Sequence, residues 1–322
     1  MSRAYFRNRI SIGDIPQLEL GGDVDAGKIL FGGGYNNITT IDYIIASNKN
    51  VCTDFGDLRI YMWSHGACSS STRGLFGGGT TAADTRSAVI EYVTIATSSN
   101  STNYGNLNVG RSYTKSCSSE TRGFFGGGSV GSSTTTNSID HVTIASTGNA
   151  TDFGDLTESR AQLGACSSPT RGVFAGGRTS PGDIFKNTID YINIGSATGS
   201  ATDFGDLSVA KMYLNACSSN LIGVFAGGQD SGDAKQNTLE KITFTTTGVV
   251  TDFGDLLSVL VHMSASSSST LGVFAGGFDE SGAVSTINYV QFSSLGNATD
   301  FGDLTESRGF FDACSDSHGG IA

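Results

Sequence analysis

The sequence has little of what helical, collagenous or membrane-spanning proteins need. Only 3 of its 322 residues are Pro, and 15% are charged, against roughly 25% in an ordinary globular chain. A long-helix or coiled-coil protein would be rich in Ala, Glu, Lys, Leu and Arg, so that class is excluded. Collagen is excluded too, since it needs abundant Pro and a strict three-residue Gly period. No run approaches the roughly 18 apolar residues of a membrane span. The opening MSRAYFRNRISIGDIPQLEL lacks the continuous apolar stretch of a secretory signal. Trp occurs once and His four times, which leaves few groups for imidazole chemistry. The formal net charge is −11, so a phosphate backbone would be repelled and no nucleic-acid partner is expected.

What the chain does have is Gly, 45 of 322, with 19 Phe, many Ser and Thr, and 38% hydrophobic residues. That is enough apolar material to exclude disorder, and it points to an all-β protein with many turns. A repeat sharpens this. Gly-hydrophobic-Phe-Ala/Gly-Gly-Gly recurs with its Phe at 31, 76, 125, 174, 225 and 274, and Gly320-Ile321-Ala322 begins a seventh copy. Between copies come a strand-like Ile-Asp-Tyr (41–43, with counterparts at 90, 139, 189, 239 and 287) and then Thr-Asp-Phe-Gly-Asp-Leu. The first Asp of that second motif falls at 54, 152, 203, 252 and 300, with Asn103 in the second repeat. Last comes a small-residue segment around Cys68, Cys117, Cys166, Cys217, Ser266 and Cys314. Four short β segments per unit of about 40–50 residues is the pattern of propeller blades, and six copies predict six blades.

The double Gly, the Ile-Asp-Tyr, the Asp-Phe-Gly-Asp-Leu and the following Arg resemble kelch repeats over residues 27–322. The wording GVFAGG…ATDFGDL…ACSS is similar to kelch-like structural proteins of tailed bacteriophages, especially those of marine cyanobacteria. Phe stands where cellular kelch proteins usually carry Trp. The resemblance implies a six-bladed kelch-like propeller of four-stranded blades with the Cys segment innermost. Repeat one lacks an inner strand, and the last inner strand, around 308–315, lacks a later sheet. The expected closure therefore sets the C-terminal strand against the first blade, which removes exposed edges. Residues 1–26 are left over as an N-terminal arm.

Spacing locates the variable face. From the first Asp (or Asn103) to the next Phe position the interval is always 22 residues, whereas from Phe to the next strand it runs 10, 14, 14, 15, 14 and 13. Length change therefore concentrates in the loop between the second and third strands. The candidate binding residues lie there: Tyr35 and Asn36, Asp84 and Arg86, Arg178, Asp183 and Lys186, Gln229, Asp230 and Lys235, and Asp279 with Glu280. The arm supplies Arg3, Tyr5, Phe6, Arg7, Arg9 and Ile10 as an attachment element, because residues 1–13 hold three Arg and no acid.

No catalytic, cofactor or metal site is expected. The repeated Cys fall on different blades, too far apart for disulfides and without zinc-ligand spacing, and read as small buried hydrophobes. That suits a reducing compartment. The Asp-x-x-Asp pairs, such as Asp152/Asp155, read as turn-forming residues rather than calcium ligands. The cations Arg111, Arg160, Lys211 and Arg308 suggest local pairing with those acids, although Arg111 persists where both acids are Asn and Leu260 stands beside intact acids. Tyr61, Trp63 and the Phe series read as inter-blade core, with Trp63 a minor candidate for sugar stacking. The expected function is a non-enzymatic virion structural protein, assembled in the bacterial cytoplasm. Its arm would bind other virion proteins and its loop face a host protein or glycan. An intracellular peptide-binding adaptor is the alternative, and a carbohydrate-active or redox enzyme the weakest of the three.

Overall fold

The computed structural model describes residues 27–321 and, among them, contains strands, turns and no helix. Six four-stranded antiparallel sheets form a six-bladed β-propeller. The third blade shows the plan. Lys115–Ser118 lies at the axis, followed outward by Arg122–Gly126, Ser138–Thr143 and Thr151–Asp155. The sequence explains each strand. Arg122–Gly126 is buried on both faces and reads as a continuous apolar run, whereas Ser138–Thr143 alternates more openly and is rich in β-branched residues.

Closure is as expected. Asp312–Ser315 pairs antiparallel with Lys28–Gly32, setting Ile29 against Ser315 and Phe31 against Ala313. Gly320 and Ile321, however, do not open a seventh strand. The second strand of the first blade is already supplied by Lys28–Gly32. The chain instead turns back across the end of the axis after Ser315.

The core lies between blades. Each repeated Phe is fully buried among residues of the neighbouring sheet; Phe76, for example, clusters with Leu30, Ile41 and Phe55. The repeated Cys are explained by the Gly that opens the next blade's second strand. A Cβ built on Gly172 would fall 2.5 Å from Cys117 Sγ, and the same meeting recurs at Gly74, Gly123, Gly223 and Gly272. The thiol occupies the space the missing side chain leaves. In the first blade that position holds Ile29, and there the facing strand carries the smaller Ser266 in place of Cys. Bulk lost on one side is restored on the other. Cys68, Cys117, Cys166, Cys217 and Cys314 are all buried free thiols, and burial pushes their pKa values up.

The cations find other partners than expected. Arg111, Arg160, Lys211 and Arg308 pair at 2.5–2.9 Å with Asp140, Asp190, Glu240 and Asp42, which belong to the Ile-Asp-Tyr strand of the next blade. The Asp-x-x-Asp acids turn outward, and Asp54, Asp203 and Asp300 accept the N–H of the Gly two residues on. This resolves both exceptions. Arg111 keeps its acid in Asp140, and Leu260 falls at the pairing position of the blade whose strand carries neutral Asn288. In all six blades the same strand residue also accepts a backbone N–H from the turn of the preceding blade, at 2.7–3.3 Å. Neighbouring blades are thus latched by a hydrogen bond to a buried side chain, reinforced in most by a buried ion pair.

Candidate recognition face

Two rings of hydrogen bonds close the axis, one at each end. At the end where the inner strands finish, Ser69, Ser118, Ser167, Ser218, Ser267 and Ser315 each donate a hydroxyl to the carbonyl of the preceding blade's Ser, at 2.6–2.8 Å. The C-terminal segment sits on this ring. Gly319 donates to Ser218 O, and His318 Nε2 lies 3.3 Å from Ser69 O and 3.2 Å from Ser118 Oγ. The N–H of Gly320 donates to His318 Nδ1, so the ring is neutral with its proton on Nε2. Burial lowers the His318 pKa to about 4. Only Gly fits here, because a Cβ on Gly320 would lie 1.9 Å from Ser118 O.

At the opposite end the ring is made of backbone. Ser64, Tyr113, Gln162, Tyr213, His262 and Phe310 occupy one equivalent position per blade, all with φ between 55 and 63°. Each donates its N–H to the carbonyl of the corresponding residue in the preceding blade, at 2.6–3.2 Å. Left-handed backbone is costly for bulky side chains, and six cooperating hydrogen bonds hold it in place.

The variable loops rise on this same face. In five blades they form short hairpins or bridges that pair with the segment leading into the ring, as in Ala161 with Arg178 and Met212 with Gln229. The first blade has only the turn around Tyr35. Hairpins also brace one another: Arg86 donates to Gly131 O, Thr135 to Ser180 O and Lys235 to Asp279 O.

The candidate residues divide accordingly. Asp230 and Asp279 accept the N–H groups of their own turns, and Ser281 holds the Asp279 pKa below the usual range. Arg178 pairs with Asp183 at 2.7 Å, Lys186 with Glu158 at 2.6 Å, and Gln229 bonds Asp233. These side chains shape the hairpins. Asn36, Asp84 and Glu280 stand exposed, and Tyr35 is 45% exposed. The arm candidates Arg3, Tyr5, Phe6, Arg7, Arg9 and Ile10 lie outside the described residues.

Around Tyr35 the structure assembles a group the sequence reading placed elsewhere or missed. Trp63 is half-buried on this face rather than in the inter-blade core. It makes near-perpendicular contacts with Tyr35, Tyr113 and Phe310 at centroid distances of 5.3–5.9 Å. His262 lies between Tyr213 and Phe310, 3.7 Å from each. Burial, with Lys115 and Lys235 nearby, lowers its pKa well below the ordinary value, so the ring is neutral. Below these rings is a small axial cavity of about 30 Å³, lined among others by Gln162, Tyr213, His262 and Phe310. Lys115, which also lines the cavity, pairs across the axis with Asp312 at 3.1 Å, where Asn215 also donates to the carboxylate. A signal for this cluster was present in the sequence. Within the constant 22-residue interval, the tenth residue after the first Asp differs in nearly every repeat (Ser, Tyr, Gln, Tyr, His and Phe). Attention to loop length passed over it.

Among the described residues no group of three or more His, Cys, Asp or Glu is placed to hold a metal ion. The arrangement offers surface aromatic rings, engaged charges and a rigid frame, which is the equipment of binding and is consistent with an interaction role. Compared with known proteins, the chain matches no family model and no curated sequence.

Proposed function

We propose that the chain is a non-enzymatic structural protein of a tailed bacteriophage particle, a kelch-like propeller displayed on the virion. Residues 1–26 attach it to neighbouring virion proteins, and the hairpin face contacts the host surface or another virion protein. The phage context rests on the resemblance of GVFAGG…ATDFGDL…ACSS to phage structural proteins. The observation that supports recognition is the contrast between the two ends of the axis. One end is repetitive and covered by the chain's own C-terminal segment, whereas the other presents non-equivalent, half-exposed rings inside a braced crown of hairpins. Loops on a rigid scaffold are where specificity is built.

Mass spectrometry of gradient-purified particles, followed by particle reconstruction, tests the reading. The protein should be present at a fixed copy number and appear as a six-bladed disc with its hairpin face outward. Recovery from infected-cell lysate but never from particles would overturn it in favour of an intracellular adaptor.

A further inference from the structure

We infer that the axial mouth on the hairpin face is a carbohydrate site for a neutral pyranose, seated against Trp63 and the rings beside it. The inference names a ligand class for the proposed recognition face and rests on that reading.

Three observations converge. The first is the aromatic group itself. While the repeated Phe are fully buried, Tyr35, Trp63, Tyr113 and Phe310 remain partly open around the axis and pack mainly edge to face. A pyranose has a flat face of C–H groups that covers such rings while its hydroxyls stay available at the edge.

The second is an unpaired acceptor. Gln162 is only 6% exposed and donates through Nε2 to the Tyr213 hydroxyl at 3.2 Å, yet its Oε1 has no partner. A buried carbonyl oxygen left unpaired is costly and calls for a donor. Gln162 lines the cavity of about 30 Å³, which has room for a water or a hydroxyl group. A ligand resting on the surface can insert a small donor there. A sugar hydroxyl or hydroxymethyl group does this, whereas a bulky side chain does not.

The third is charge. Arg178 is matched by Asp183, Lys115 by Asp312 and Lys186 by Glu158, while Arg86 and Lys235 donate to backbone carbonyls of neighbouring hairpins. His262 is neutral. With its cations engaged, the mouth favours an uncharged ligand over a phosphate or carboxylate.

Trp63 is the chain's only Trp, so its fluorescence reports on this site alone. Purified full-length protein is titrated with methyl α-D-glucopyranoside, methyl α-D-galactopyranoside and methyl α-D-mannopyranoside, and separately with a proline-rich peptide. At least one glycoside should give a saturable change with Kd of about 1 mM, confirmed by calorimetry. Gln162→Asn introduces a residue tolerant of left-handed backbone but withdraws the carbonyl, and should weaken binding about tenfold while the protein stays folded. Leu221→Gln, on an exposed turn of the opposite face, should bind as the parent does. No saturable change with any of the three up to about 50 mM overturns the inference. So does unchanged affinity in Gln162→Asn, or a response to the peptide alone. Protein present on particles but blind to all three glycosides defeats only this inference. Glycoside binding by a protein absent from particles defeats the virion reading instead.

Discussion

The two ends of the propeller axis solve one geometric problem in opposite ways. Both must satisfy backbone groups where six strands converge, and both do so with a closed ring of six hydrogen bonds. At one end the side chain does the bonding, so it must be Ser in every blade. At the other the backbone does it, and the side chains are released: Ser64, Tyr113, Gln162, Tyr213, His262 and Phe310 share a conformation and little else. Freedom of side chain on a fixed backbone is what a binding face requires. The difference teaches that variable side chains can sit in the most regular part of a repeat, provided the main chain alone carries the structure.

The largest expected effect comes from the latch beneath the hairpin face. Arg160 is buried, donates to Gly176 O and Thr188 O at the base of a hairpin, and pairs with buried Asp190. Arg160→Leu should cost about 3–5 kcal/mol in chemical denaturation, because the carboxylate is left buried without its cation. Adding Asp190→Asn should recover most of the loss, reproducing the neutral Leu260 and Asn288 combination of the fifth latch. If the double variant is no more stable than the single one, the two positions are not coupled as described.

At the serine end the Ser167 hydroxyl donates to Ser118 O and accepts from Ser118 N–H, so one substitution removes two hydrogen bonds and leaves both buried groups short of a partner. Ser167→Ala should therefore lower stability by about 2 kcal/mol. Gln162→Asn at the other end gives up the hydrogen bond to Tyr213 but leaves the backbone ring intact, and should cost less, about 0.5–1 kcal/mol. Equal losses from the two would erase the contrast between the ends.

The C-terminal segment should respond to acid. His318 has a pKa near 4 when folded, below the ordinary 6.5, so the unfolded chain takes up the proton first. Folded-state stability is then lost as pH falls from about 6.5 towards 4, and is fully present above that window. Protonating Nδ1 also removes the acceptor used by Gly320 N–H. Amide exchange at 318–321 should accelerate across this window while the inner strands stay protected. His318→Asn should flatten that part of the profile, although buried His65, with its pKa lowered to about 3, retains a share of the acid sensitivity.

The smallest effect concerns the thiols. Native protein at pH 8 should leave the five repeated Cys unmodified by iodoacetamide, and reductant should not move Tm, because burial keeps them as neutral thiols. Rapid labelling of all five would mean that the blades open far more readily than their packing implies.

The innermost place of the Cys strand came from the kelch resemblance, but the repeat arithmetic determined much by itself: all-β structure, six blades and closure by the C-terminal strand. These follow from local alternation and from edges that must be covered, both visible in one dimension. Gly in the second strand and Cys in the first could be recognised as repeated but not as partners, because the touching pair belongs to adjacent blades. The Arg latches were misread for the same reason. The acid five to eight residues away was the obvious partner in sequence, whereas the true one lies 30 residues on for Arg160 and 266 residues back for Arg308. Curling the repeat into a ring decides those contacts. The axial mouth is the furthest case, since one residue from each of six blades meets there only after the ring closes. The constant interval marks those six positions as equivalent, but only the closed ring brings them together.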